Sequence, residues 1–174
     1  MSKAIIILGS SRSFGNTMSM VETVIDKHKD VTIIDLNKFN ILQYDYEHLN
    51  QADDYLNLME NILTYDLIVL ATPVYWYTMS GIMKIFIDRL SDLLTIKKDL
   101  GRKLRNKKMF IIATFDTSMP EHFEYVFEQT AIYMGMDYKG CSMFYCGDNH
   151  ELLKRNEAER TKVNDVLFEQ THSS

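Results

Sequence analysis

Ala4-Ile5-Ile6-Ile7-Leu8-Gly9-Ser10-Ser11-Arg12-Ser13-Phe14-Gly15-Asn16-Thr17 decides the fold. An unbroken apolar run from Ala4 to Leu8 fits a strand covered on both faces, as a parallel sheet demands. A glycine and several hydroxyls interrupt it. The spacing then changes to that of a helix, with Met18, Val21, Ile25 and His28 three or four apart. Strand, polar turn, helix is the opening unit of an α/β fold.

The same alternation repeats outward from this unit. Further apolar runs lie at Val31–Leu36, Leu67–Ala71, Met109–Ala113 and Tyr138–Cys146. Helix-spaced stripes fall between them. They are Tyr55, Met59, Ile62 and Leu63, then Ile82, Ile85, Phe86, Leu90 and Leu93, then Phe123, Val126, Phe127 and Thr130. A last, heavily charged helix is expected from Asp148, where Asp148-x-x-Glu151 has the form of a capping box. The order βαβαβαβαβα predicts a five-stranded parallel sheet with helices on both faces. The 174 residues fit one domain, 1–174.

Composition narrows the function. Apolar residues make up 46% of the chain. A chain of this size buries roughly 70% of its unfolded surface, so general disorder is excluded. The net charge of −5 argues against a nucleic-acid partner. No apolar run approaches the roughly 20 residues of a membrane span, and the Ala4–Leu8 run is too short for a signal-peptide core. A cytoplasmic protein is therefore expected. The only cysteines, Cys141 and Cys146, exclude a disulfide scaffold and a four-cysteine metal site, and no metal is expected. The basic stretch Lys97 to Lys108 precedes the fourth strand and reads as a solvated face.

The unusual residues gather where strands end: Gly9-Ser10-Ser11, Thr72-Pro73, Thr114-Phe115-Asp116 and Gly147-Asp148-Asn149. In open α/β sheets ligands bind outside those carboxyl ends. The loop from Ser10 to Thr17 suits a phosphate. It offers the hydroxyls of Ser10, Ser11, Ser13 and Thr17, the Arg12 guanidinium, and the N–H groups of a helix N-terminus. Its other reading is a polar turn capped by Asn16 or Thr17. No Walker lysine, dinucleotide glycine pattern or nucleophilic cysteine occurs in it. Thr72 to Gly81 contains Tyr75-Trp76-Tyr77, three aromatics that a loop cannot fully bury, with Trp76 the only tryptophan. Pro73 is expected to end the strand and leave the N–H groups of Val74 to Trp76 free for the polar edge of a flat ring. That loop could equally fold its aromatics onto its own domain or onto a partner chain. The segment Asn37–Gln51 has no clean period and could wall a site or meet a partner.

Gly-Ser-x-Arg-x-x-Gly-Asn-Thr at Gly9–Thr17, followed by Pro-Val-Tyr-Trp-x-x-Met-Ser-x-x-Met-Lys-x-Phe-Ile-Asp-Arg at Pro73–Arg89, resembles the flavodoxin-like NAD(P)H-dependent FMN reductases. The resemblance implies strand order 2-1-3-4-5. It implies FMN, with its phosphate held by Ser10, Arg12, Gly15, Asn16 and Thr17. The isoalloxazine would lie against Pro73, Val74, Tyr75 and Trp76, with Thr114, Phe115 and Asp116 beside it. NADPH or NADH would be co-substrate, a small molecule (quinone, flavin, nitro compound or azo dye) the electron acceptor, and a homodimer or tetramer the assembly. No side chain is nominated as catalytic, because the flavin carries the chemistry. Iron–sulfur relatives carry a cysteine cluster after the second strand, which this chain lacks. The competing expectation is a flavodoxin-like electron carrier without NAD(P)H activity.

Overall fold

Two apolar faces, one on each side of a single sheet, account for the unbroken strand sequences. The computed structural model describes residues 3–25 and 31–172. The strands are β1 (Ala4–Leu8), β2 (Val31–Asp35), β3 (Leu67–Pro73), β4 (Lys108–Phe115) and β5 (Asp137–Tyr145). All pair in parallel, in the order β2-β1-β3-β4-β5. The helices are α1 (Asn16–Ile25), α2 (Tyr55–Ile62), α3 (Gly81–Asp88), α4 (Leu90–Thr95), α5 (Lys98–Arg102), α6 (Tyr125–Met134) and α7 (His150–His172).

Alternate residues of each strand face opposite cores. Ile5, Ile7, Ile68, Leu70, Met109 and Ile111 pack with α2, α3, α4 and α6. Ala4, Ile6, Leu8, Val69, Phe110 and Ile112 pack with α1 and α7. The flavodoxin-like topology expected from the resemblance is therefore observed. Strand order reverses between β1 and β3, and a crevice opens at their carboxyl ends.

Several helix details differ from the periodic reading. The third stripe is not one helix: the chain turns at Arg89, between α3 and α4. Met83, Phe86, Leu90 and Leu93 are buried, while Ile82 and Ile85 are only half-buried. In α6 the core line is Phe127, Ala131 and Met134, and Val126 is exposed. The small Ala131 carries the line, and the neighbouring Thr130 is only half-buried. In α1 the buried pair is Val21 and Val24, and His28 lies outside the described residues. Helix α7 is capped one residue later than expected: the Asn149 carboxamide oxygen accepts from the N–H groups of Glu151 and Leu152. Cys141 is buried in β5, and both cysteines are free.

Candidate functional site

The loop after β1 is fixed from three directions. The Gly9 N–H donates to the Ala71 carbonyl of β3 at 2.8 Å. The Gly9 carbonyl accepts from the Ser80 hydroxyl at 2.6 Å, and that hydroxyl also caps α3 by accepting from the Met83 N–H. A Cβ on Gly9 would come within 2.7 Å of Met83 Cε, so the absence of a side chain allows the loop to leave the sheet against α3. The Asn37 carboxamide then donates to the Ser10 carbonyl at 2.7 Å. Beyond this brace α1 begins at Asn16, with its first turn's N–H groups lacking acceptors within the helix. Arg12 folds toward the same point: a Cβ on Gly15 would be 3.6 Å from Arg12 Nε. Of the four hydroxyls expected in this cradle, only those of Ser10 and Thr17 reach the cleft lining. Thr17 is buried and shares a 2.7 Å hydrogen bond with Thr114.

The facing wall comes from β3 and the turn after it. Pro73 is the last residue of β3, as expected, and sits in register with Thr114. The Val74 N–H donates to the Thr114 carbonyl at 2.7 Å. Tyr75 and Thr78 exchange both backbone hydrogen bonds, at 2.9 and 3.1 Å, around the two turn residues Trp76 and Tyr77. The N–H groups of Val74 and Tyr75 are therefore engaged, contrary to the expectation from sequence. Trp76 and Tyr77 adopt left-handed conformations, with φ of 49° and 66°. A two-residue turn of this kind favours Asn and Gly, and side-chain-bearing residues there are strained.

The floor between these walls is the end of β4. Phe115 packs on Tyr145 at 5.5 Å between ring centroids. The Cys146 N–H ties the end of β5 to the Phe115 carbonyl at 2.7 Å. The Cys146 thiol lines the cleft, and burial, reinforced by Asp116, pushes its pKa up. It is therefore a neutral, weakly polar surface and a poor nucleophile.

The cleft is an open groove lined by Ser10, Arg12, Gly15, Asn16, Thr17, Pro73, Val74, Tyr75, Thr114, Phe115, Asp116 and Cys146. Of the twelve residues that the resemblance assigns to FMN, all but Trp76 meet there. Trp76, 92% exposed, borders an adjoining open cavity with Tyr77, Thr117 and Ser118. Both cavities share Val74, Phe115 and Asp116. A cationic cradle at one end and an apolar wall at the other fit a phosphorylated aromatic cofactor in donor chemistry.

Residues 2–144 match the model of the family described as NADPH-dependent FMN reductase. The chain belongs to this family. The reductase is 32% identical over 153 residues to YwqN of Bacillus subtilis (strain 168), a protein named as an NAD(P)H-dependent FMN-containing oxidoreductase. That alignment covers 79% of this chain and 82% of YwqN. Among solved structures it is similar to the Trp repressor binding protein of Bacillus subtilis, at 27% identity and a TM-score of 0.70, covering 92% of this chain and 96% of that one. The two-electron reduced flavodoxin of Megasphaera elsdenii shares the fold at 14% identity and a TM-score of 0.57, covering 94% and 97%. The protein is thus an NAD(P)H-dependent oxidoreductase with FMN as its cofactor.

Three residues in or around the reductase's cleft have no signal in the sequence reading, and a fourth has a different role from the one expected. Asn37 and Ser80 brace the β1 loop through backbone carbonyls. Cys146 lines the floor. Ser11, counted only as a hydroxyl for phosphate, instead shares a 2.8 Å hydrogen bond with the Tyr75 hydroxyl. None of residues 37–51 lines either cavity. That segment packs on α4 instead, through Arg89 and Asp92. Among the described residues no helix is long and apolar enough to cross a membrane.

Proposed function

We propose that the reductase passes hydride from NADPH or NADH to a small acceptor of the quinone, flavin, nitro or azo class, working as a single cytoplasmic domain over 1–174. The observation that carries this reading is the paired cavity at the β1–β3 switch point, a cradled cleft with a second, aromatic-edged space opening from it. Bound FMN supplies a ring that takes up and gives back hydride at N5. The chain's own part is placement. The first-turn N–H groups of α1, with Ser10, Arg12, Gly15, Asn16 and Thr17, hold the phosphate. Pro73, Val74 and Tyr75 border the ring on one side, and Thr114, Phe115 and Asp116 on the other. Trp76 and Tyr77 edge the space in which nicotinamide and acceptor take turns. An absorption spectrum of the purified protein tests this, before and after anaerobic NADPH or NADH. A flavin band that bleaches is expected. A band that persists would favour an electron carrier, and a colourless protein that refuses FMN would overturn the reading.

Trp76 frames the acceptor space without touching the hydride path. Stacking on it is worth about 0.5–1.5 kcal/mol beyond burial, so Trp76→Ala should weaken acceptor binding by about tenfold. Flavin reduction at full occupancy should stay within about tenfold of wild type in anaerobic stopped-flow. A thousandfold loss would show that Trp76 positions the nicotinamide.

A homodimer or tetramer is also part of this proposal. Phe14 and Trp76, 93% and 92% exposed, flank the cleft from its two loops, where a second copy would cover them. Sedimentation at micromolar concentration should show a species of at least twice the chain mass. A fully active monomer would defeat it.

A further inference from the structure

The hairpin Tyr75–Thr78 is fixed at its base and weakly held at its tip. Its turn residues are in the left-handed region, where side chains are disfavoured. Val74, just before it, is fixed to Thr114, and Met79 and Ser80, just after it, are buried, with the Ser80 N–H donating to the Thr72 hydroxyl. Beyond that, the Ser11–Tyr75 hydroxyl pair, at 2.8 Å, carries the only side-chain hydrogen bond from residues 75–78 to another segment among the described residues. Ser11 sits between Ser10 and Arg12, both lining the cradle end of the cleft. Tyr75 ends the wall that begins at Pro73. The pair joins two sides of the cleft across 64 residues of sequence, and its exposure puts it at the rim. A ligand reaching from the cradle to that wall crosses the line between the loops.

We propose that Ser11 and Tyr75 form a strap that holds the aromatic hairpin to the phosphate loop and slows the release of FMN. Both act as positioning residues. While the bond is made, the strained turn is held beside the ring wall. When it opens, the tip of the hairpin is free to relax away, and the cleft loses the Tyr75 end of that wall. The release of FMN rests on the cofactor reading given above. The mechanical link between the loops does not.

Four proteins test it: wild type, Ser11→Ala, Tyr75→Phe and the double variant. Trp76, the sole tryptophan, reports on the hairpin directly, through its fluorescence anisotropy decay in cofactor-free protein. Each single variant should widen the motion of Trp76 and speed FMN release by about threefold to tenfold, the worth of one net hydrogen bond. The double variant should do no more than either single one, because one shared bond is lost only once. Independent effects that add in the double variant would overturn the strap, since they would mean separate contacts. Unchanged Trp76 motion in both single variants would overturn it as well. If wild type binds no FMN, the cofactor reading fails by itself, and the coupling seen in Trp76 motion still decides for or against the strap.

Discussion

Arg89→Met should lower the stability of the protein by about 3–5 kcal/mol, the usual consequence of removing one partner from a buried ionic cluster. The Arg89 side chain is completely buried between α3 and α4. Its Nη1 is paired with the Asp53 carboxylate and donates to the Leu42 carbonyl at 3.0 Å. Its Nε donates to Asp92 Oδ2 at 2.7 Å, and the guanidinium lies 4.6 Å from the centre of the Tyr55 ring. Methionine would fill much of the volume but leave two buried carboxylates facing each other. His48, whose Nδ1 lies 3.2 Å from Asp92, could compensate only one of them. The effect should reach beyond Arg89 itself. Asp53 also accepts from the Leu42 N–H, so the 37–54 segment hangs on this cluster.

The acid dependence has a definite sign. Burial pushes the Asp53 carboxyl up, but the Arg89 pair and the N–H groups of Leu42 and Tyr55 outweigh it and hold its pKa below the ordinary value. A carboxyl depressed in the folded state stabilises above its unfolded pKa of about 3.9 and loses that contribution as pH falls through the folded value. In Arg89→Met the depression is removed and burial dominates, so protonation relieves the folded variant instead. The gap between variant and wild type in urea unfolding should therefore narrow from neutral pH toward about pH 4. A gap below about 1 kcal/mol at pH 7, or one that widens in acid, would show that the cluster is solvated and not a true buried pair.

This cluster also marks what a sequence reading can see. Strands buried on both faces declare themselves, because Ile5, Ile6 and Ile7 must each be apolar whichever face they meet. The cleft declared itself because polar turns after β1, β3 and β4 are brought to one edge by a parallel sheet. Arg89 was legible only as the last letter of a motif. Its burial requires Asp53, 36 residues away, and no local period encodes that partner. The same limit hid Asn37 and Ser80, which act through the carbonyls of Ser10 and Gly9. It also hid the engaged N–H groups of Val74, which bonds across to β4, and of Tyr75, which closes a left-handed turn that Trp76 and Tyr77 would not ordinarily adopt.

Arg12→Ala should weaken FMN by about tenfold to a hundredfold, because a hydrogen bond to a charged group contributes about 1.5–3 kcal/mol and 1.4 kcal/mol is tenfold. The placement of Arg12 motivates this. It lines the cleft together with Gly15, Asn16 and Thr17, and its Nε lies beside Gly15, where the first turn of α1 presents unpaired N–H groups. A phosphate there meets the helix N-terminus and the guanidinium at once. The helix contribution survives the substitution, so binding should weaken rather than vanish. Arg12 itself is solvent-exposed, so the loss should shrink at high salt, where screening already weakens the wild-type contact. Riboflavin has the same ring and ribityl chain but no phosphate, so its affinity should change by less than about threefold. Titrating both ligands into wild type and Arg12→Ala, at low and high ionic strength, separates the contributions. Equal weakening of FMN and riboflavin would mean that Arg12 shapes the ring wall and that the phosphate lies elsewhere. Unchanged FMN binding would mean that the α1 N-terminus holds the phosphate without it.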